Sequence, residues 1–197
     1  DGHNRRWSKR PNITPRQALD FADRMDSEGL PVTVIAADGG ERVRFEERKT
    51  SPNKTIYGTN ENFLLTHKYD IAYGRNLRPS DLEFNRPVIV IGHDIEQELF
   101  PNENPIGKSI VADDNRYTVI GVLKKRGKLF GNSMDNLVLI PVTRFVANNW
   151  HQWRSMNVSV MAASAIDMSP AQDVAIGHFR QVRGLEPEEE NDFEVFS

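Results

Sequence analysis

From Gly58 to Pro141 the chain is cut into apolar runs of a few residues, punctuated by glycine, proline or Asp/Asn turns. Val88-Ile89-Val90-Ile91 stops at Gly92, Tyr117-Thr118-Val119-Ile120 at Gly121, and Leu137-Val138-Leu139-Ile140 at Pro141. Runs this short and this rich in β-branched residues predict strands. Gly58, Gly74, Gly92, Gly107 and Gly121 are read as the places where the chain turns. No run approaches the roughly 20 apolar residues of a membrane helix. Apolar side chains make up 38% and charged ones 27% of the 197 residues, which describes a globular chain and excludes a disordered one. The balance of 25 basic to 28 acidic side chains leaves a net charge of -3, with no footprint for nucleic acid. There is no cysteine, so disulfides and thiolate metal sites are excluded.

The flanks follow a different grammar. Residues 1–11 carry Arg5, Arg6, Lys9 and Arg10 with no apolar stretch behind them and read as a solvated linker. Thr14-Pro15-Arg16-Gln17 combines an N-cap, a proline at the first helical position and a capping-box Gln. Ala18, Leu19, Ala22 and Met25 form the buried stripe of that helix, and Gly29 and Pro31 stop it. Val32 to Ala37 predicts a buried strand, turned by Asp38-Gly39-Gly40 into the alternating Val43 and Phe45. A second helix start, Ser169-Pro170-Ala171-Gln172, follows a strand over residues 157–163. The chain stops on a strand-like Phe193-Glu194-Val195-Phe196, so it reads as part of a longer one. The expected fold is α+β: a split βαβ unit formed by residues 12–57 and 151–197, with a small β-rich subdomain inserted over 58–150.

Motifs that suggest chemistry lack its other half. Gly107-Lys108-Ser109 resembles the end of a Walker A loop, but Asn102 stands where the first glycine belongs and residues 109–112 read as a strand. A turn built on Gly107 explains it better. His93-Asp94 follows a buried strand, yet neighbours on a strand point apart, and Asp94 reads as the N-cap of a helix ending at Phe100. The five histidines have no metal-ligand spacing. Asp113-Asp114 reads as a type I turn. No catalytic, cofactor or metal residue is assigned. Two surface candidates remain. Lys124, Lys125, Arg126 and Lys128 form a basic loop before Leu129-Phe130, suited to an acidic partner or anionic lipid, and Trp150 and Trp153 read either as the lid of a core or as candidate interface anchors.

The order of the punctuated segments resembles the MacB-like periplasmic core domain of ABC-transporter permeases, also found beside FtsX-like permease segments. The resemblance runs from about Ile13 to Ser197. It rests on Gly58, Asn60 and Phe63, then Gly74-Arg75 with Asp81. Gly107-Lys108, the strand containing Gly121, and the strand closed by Pro141 follow in order. It implies a porter-like subdomain interrupted by a "Sabre" subdomain, matching the split read from caps and turns. It also implies a non-enzymatic domain outside the cytoplasmic membrane, held between transmembrane helices of a dimeric permease. A separate ATPase domain would drive it, and a membrane-fusion adaptor would dock on it. The isolated piece is expected to be monomeric, since dimerisation rests on parts outside it. A free-standing peptide- or lipid-binding protein, using a cleft between two subdomains, is the alternative.

Overall fold

The computed structural model describes residues 15–148, 157–160, 177–178 and 181. The first helix, α1, spans Pro15–Ser27 and buries Ala18, Phe21, Ala22 and Met25. It ends in a Schellman motif: Leu30 N–H donates to Met25 C=O, Gly29 N–H to Asp26 C=O, and Gly29 takes φ 75°. Thr14, the expected cap, lies outside the described residues, as do Trp150, Trp153 and the Ser169-Pro170 helix start.

Twelve strands follow among the described residues: β1 Val32–Glu41, β2 Val43–Phe45, β3 Arg48–Lys49, β4 Lys54–Thr59, β5 Ile71–Gly74 and β6 Val88–Ile91. The rest are β7 Ser109–Ala112, β8 Asn115–Leu123, β9 Lys128–Leu129, β10 Asn132–Ser133, β11 Leu137–Pro141 and β12 Asn157–Val160. Further helices are α2 Phe63–His67, α3 Pro79–Glu83, α4 His93–Leu99 and α5 Val142–Asn148. Ten strands form one sheet, ordered β12-β1-β4-β11-β6-β8-β7-β2-β3, with β5 also on β8. β4 with β11 and β6 with β8 are parallel; the other pairs are antiparallel. Strands from both expected subdomains therefore share one hydrogen-bonded sheet.

The period-two pattern sorts side chains to the two faces. On one face Val32 and Val34 meet α1, while Ile56, Ile89, Ile91, Val138 and Ile140 pack with Ile95 and Leu99 of α4 and Phe145 of α5. The opposite face presents Ile35, Val88, Val90, Leu137 and Leu139 to Phe63 of α2 and to Leu77. The fully buried run Val88–Ile91 is thus a central strand covered on both sides.

Four expectations are corrected. Asp38-Gly39-Gly40 does not reverse the chain: β1 continues to Glu41 through a register shift between Asp38 and Glu41, and β2 leaves to pair with β7. Gly58 and Gly121 lie inside strands rather than at turns. A Cβ at Gly58 would stand 2.3 Å from Cβ of Phe145, and one at Gly121 would stand 2.1 Å from the Arg75 carbonyl oxygen. These glycines admit close approach. The N-cap of α4 is Gly92, not Asp94. Asp113 and Asp114 both take positive φ, 48° and 59°, so the β7–β8 turn has the mirror-image hand of type I. That hand matches strand twist, and Asp tolerates it.

Candidate docking site

The resemblance-bearing residues fall into two clamps. In the first, Asn60 follows β4 and takes over its hydrogen bonding to β1: Nδ2 donates to Val32 C=O at 2.8 Å, and Oδ1 accepts from Val34 N–H at 3.2 Å. Phe63 stacks on His67, with ring centroids 4.4 Å apart, and lies 5.8 Å from Tyr69. In the second, Gly74 ends β5 at φ 79°, and Arg75 N–H donates to Ile120 C=O across the space that Gly121 leaves open. The Arg75 guanidinium then grips Asp81 bidentately, at 2.7 and 3.1 Å. Asp81 is fully buried and also accepts from the Arg78 N–H at 2.8 Å. Burial raises the Asp81 pKa, but hydrogen bonds from Arg75, the Arg78 backbone and Arg86 outweigh it and hold the carboxyl below its ordinary range. Pro141 ends β11 where α5 begins.

The basic loop is built on the first clamp. Asp135, buried, accepts the N–H groups of Arg126 and Gly127 at 2.8 Å each, one per carboxylate oxygen. The Arg126 guanidinium folds over Tyr69: it lies 4.4 Å from the ring centroid and donates to His67 C=O at 2.9 Å. Tyr69 Oη donates to Met134 C=O at 2.9 Å, and Ser133 Oγ to Asp94 Oδ2 at 2.5 Å. Burial lowers the His67 pKa, the hydrogen bond to Phe63 opposes this, and the Arg126 charge lowers it further.

From this base β9 and β10 project as a separate two-stranded hairpin. Its two central residues, Phe130 and Gly131, take φ 50° and 80°. Phe130 is 94% exposed and Leu129 is 52% exposed. Lys124, Lys125 and Lys128, in the segment leading to them, are exposed. A large aromatic at positive φ is unusual, and exposure recovers none of its apolar area. What the arrangement does is present an apolar tip, preceded in the chain by exposed lysines, on a base held by hydrogen bonds to the buried Asp135. The sequence showed the basic run and Leu129-Phe130; it did not show Asp135 as their anchor, because that carboxylate works across eight or nine residues through backbone N–H groups.

Among the described residues no group of three or more His, Asp or Glu side chains could hold a metal ion. His93 faces Glu96 of its own helix, Nδ1 to Oε1 3.6 Å, while Asp94 is taken by Ser133. Gly107 takes φ 83° in a turn and Ser109 opens β7, so Gly107-Lys108-Ser109 feeds no helix N-terminus.

The family model described as the MacB-like periplasmic core domain matches residues 3–176. The "Macrolide export ATP-binding/permease protein MacB" of Marinobacter nauticus is 26% identical over 164 residues, covering 83% of this chain and 24% of that protein. The Rhodospirillum rubrum protein of the same description is 33% identical over 121 residues, covering 59% and 19%. The chain thus spans about a quarter or less of the length of these relatives. Among solved structures, the periplasmic region of MacB from Actinobacillus actinomycetemcomitans superposes with a TM-score of 0.66 at 18% identity, covering 94% of this chain and 81% of that one. The extracellular domain of the noncanonic ABC-type transporter YknZ from Gram-positive bacteria gives 0.65 at 22% identity, covering 89% and 86%.

Proposed function

The chain belongs to the MacB-like periplasmic core domain family, and from that membership we propose that it is the non-catalytic outer domain of an ABC-transporter permease. It lies on the extracytoplasmic side of the bacterial cytoplasmic membrane. In this reading ATP is hydrolysed by another domain, and the outer domain transmits the movement to a substrate and to a docked partner such as a membrane-fusion adaptor. The remainder of the permease, a second permease copy and the ATPase are its working partners. The division into a porter-like part (12–57 and 151–197) and an inserted Sabre-like part (58–150) belongs to the same proposal. The shared sheet then makes the two parts move together, since β4 pairs with both β1 and β11.

The observation that carries the docking half is the clamped hairpin. A preorganised apolar tip loses little entropy on insertion into a pocket, and aromatic anchors dominate such contacts. The test places a photo-crosslinking amino acid at Phe130, and separately at the exposed Leu65, in the full-length permease reconstituted with its adaptor. Position 130 crosslinks the adaptor and position 65 does not. Phe130→Asp abolishes adaptor-dependent transport and leaves basal ATPase activity intact. Full transport by Phe130→Asp, with equal crosslinking from both positions, refutes the docking role.

A further inference from the structure

Arg44, Lys49, Lys108 and Arg116 line one open groove of about 610 Å³ at the end of the sheet farthest from β12. Their placement follows from the register. Arg44 of β2 stands opposite Lys49 of β3 on one side and Val111 of β7 on the other, and Val111 stands opposite Arg116 of β8. Directly opposed residues share a face, so Lys49, Arg44 and Arg116 form a row across four strands. Their strand neighbours Val43, Phe45, Ile110, Ala112 and Tyr117 point the other way, into the core beneath α4. Among the described residues, the helix packed on these strands is α4, on the opposite face.

Elsewhere the chain puts cations to structural use: Arg48 on Glu103, Lys54 on Glu98, Arg75 and Arg86 on Asp81. Among the described residues the four groove cations have no such carboxylate. Arg44 and Lys49 are moreover directly opposed like charges, an arrangement that costs stability. Lysine on an edge strand blocks unwanted strand pairing. That accounts for Lys49 on β3, but not for Arg44 and Arg116 on the interior strands β2 and β8.

We propose that this groove binds an extended acidic segment of a protein partner. Strands lie about 4.8 Å apart, so the row from Lys49 to Arg116 crosses three spacings, about 14 Å. An extended chain places every second side chain on one side, about 6.8 Å apart, so carboxylates at i, i+2 and i+4 span about 14 Å as well. A single phosphate is far shorter than this row. Glu46 and Glu47, in the turn between β2 and β3, also line the groove, which leaves four cations against two carboxylates. The inference uses none of the hairpin residues and stands apart from the docking role of Phe130.

The test uses the 197-residue chain and a fluorescein-labelled Thr-Glu-Thr-Glu-Thr-Glu-Thr peptide, followed by anisotropy at 50 and 300 mM salt. The expected result is binding that weakens at least tenfold with salt. Arg44→Glu/Arg116→Glu loses at least tenfold in affinity, and Lys124→Glu/Lys125→Glu, which reverses the same number of charges at the hairpin base, stays within twofold. Arg44→Gln/Arg116→Gln, checked by circular dichroism for an unchanged fold, shows an intermediate loss. Three results overturn the proposal: equal loss from both reversed pairs, which means generic charge attraction; displacement of the peptide by inorganic phosphate at equal charge concentration; and binding of phosphatidylglycerol vesicles that competes with the peptide and is lost with Arg44 and Arg116.

Discussion

Replacing Asp81 by Asn tests whether Gly74-Arg75 and Asp81 form a structural clamp. The native carboxylate is fully buried and receives two hydrogen bonds from Arg75, one from the Arg78 backbone and a longer one, 3.4 Å, from Arg86. Removing one partner from a buried ion pair costs about 3–5 kcal/mol. Two features reduce that here. The Asn carbonyl oxygen still accepts one bond, and the guanidinium side chains of Arg75 and Arg86 remain 30% and 45% exposed, so water partly replaces the lost charge. The expected cost is about 2–3 kcal/mol at pH 7, or a fall in Tm of roughly 4–12 °C at this chain length. The pH dependence is a second, independent readout. The folded Asp81 pKa lies below its unfolded value, so its contribution is fully present above the unfolded pKa and is lost as pH falls through the folded one. Urea denaturation of wild type and Asp81→Asn at pH 7, 4 and 2.5 therefore shows a gap that is full at 7, begins to close near 4 and shrinks further at 2.5. Glu98, whose pKa is also depressed (burial opposes, Lys54 prevails), is present in both proteins and cancels. A gap under about 0.5 kcal/mol at pH 7, or one that does not change with pH, refutes the clamp.

The glycines rank by what surrounds them. Gly121→Ala, whose Cβ meets a backbone oxygen at 2.1 Å, destabilises by about 3 kcal/mol or more, and Gly58→Ala, against the Phe145 side chain, by about 1–3 kcal/mol. Gly107→Ala meets open space and pays only for its φ of 83°, about 1 kcal/mol; thermal denaturation that reverses this order contradicts the packing account. Lys54, buried and 2.5 Å from Glu98, gives a coupling of about 1–3 kcal/mol in a double-mutant cycle of Lys54→Met and Glu98→Gln; a coupling near zero shows that solvent at Glu98 already screens the pair. Phe130→Asn creates the Asn-Gly pair favoured in two-residue hairpins and is expected to stabilise the chain by about 0.5–1 kcal/mol while removing adaptor contact; a destabilised variant shows that Phe130 packs within the domain.

Several local signals in the sequence are legible on their own, although the N-cap of α4 and the hand of the Asp113-Asp114 turn are not. Pro15 opens α1, Gly29 ends it, and the alternation of Val43 and Phe45 marks a buried–exposed–buried strand. The strands at 88–91, 109–112 and 137–140 appear where apolar runs predicted them. Features made by two distant segments were not legible. Gly58 and Gly121 look like turn residues until Phe145 and Arg75 arrive from elsewhere in the chain. Asp38-Gly39-Gly40 looks like a hairpin turn, but pairing with β4 through a shifted register keeps it in the strand. Asp81 could be named from its resemblance, yet its burial and its second arginine come from tertiary packing. The groove cations gave no signal as a motif, because Arg44, Lys49 and Arg116 are adjacent only through strand pairing.

The hairpin tip sets local stability against presentation of an apolar surface. Asn at position 130 would suit the left-handed backbone and expose no ring, so neither folding nor solubility accounts for Phe there. Its support is nevertheless costly to build: Asp135 is buried to hold two backbone N–H groups, and Arg126 is held over the Tyr69 ring. Those contacts hold the base and leave the ring outside. Were the tip an incidental loop, loosening its base would leave partner binding unchanged. Asp135→Asn keeps one acceptor for the Arg126 and Gly127 N–H groups and frees the other. The expected result is a drop in adaptor affinity, with Phe130 itself intact and the core transition in near-ultraviolet circular dichroism shifted by no more than about 2–4 °C. Unchanged affinity alongside faster amide exchange at residues 126–134 would mean that the rigid base contributes nothing to docking.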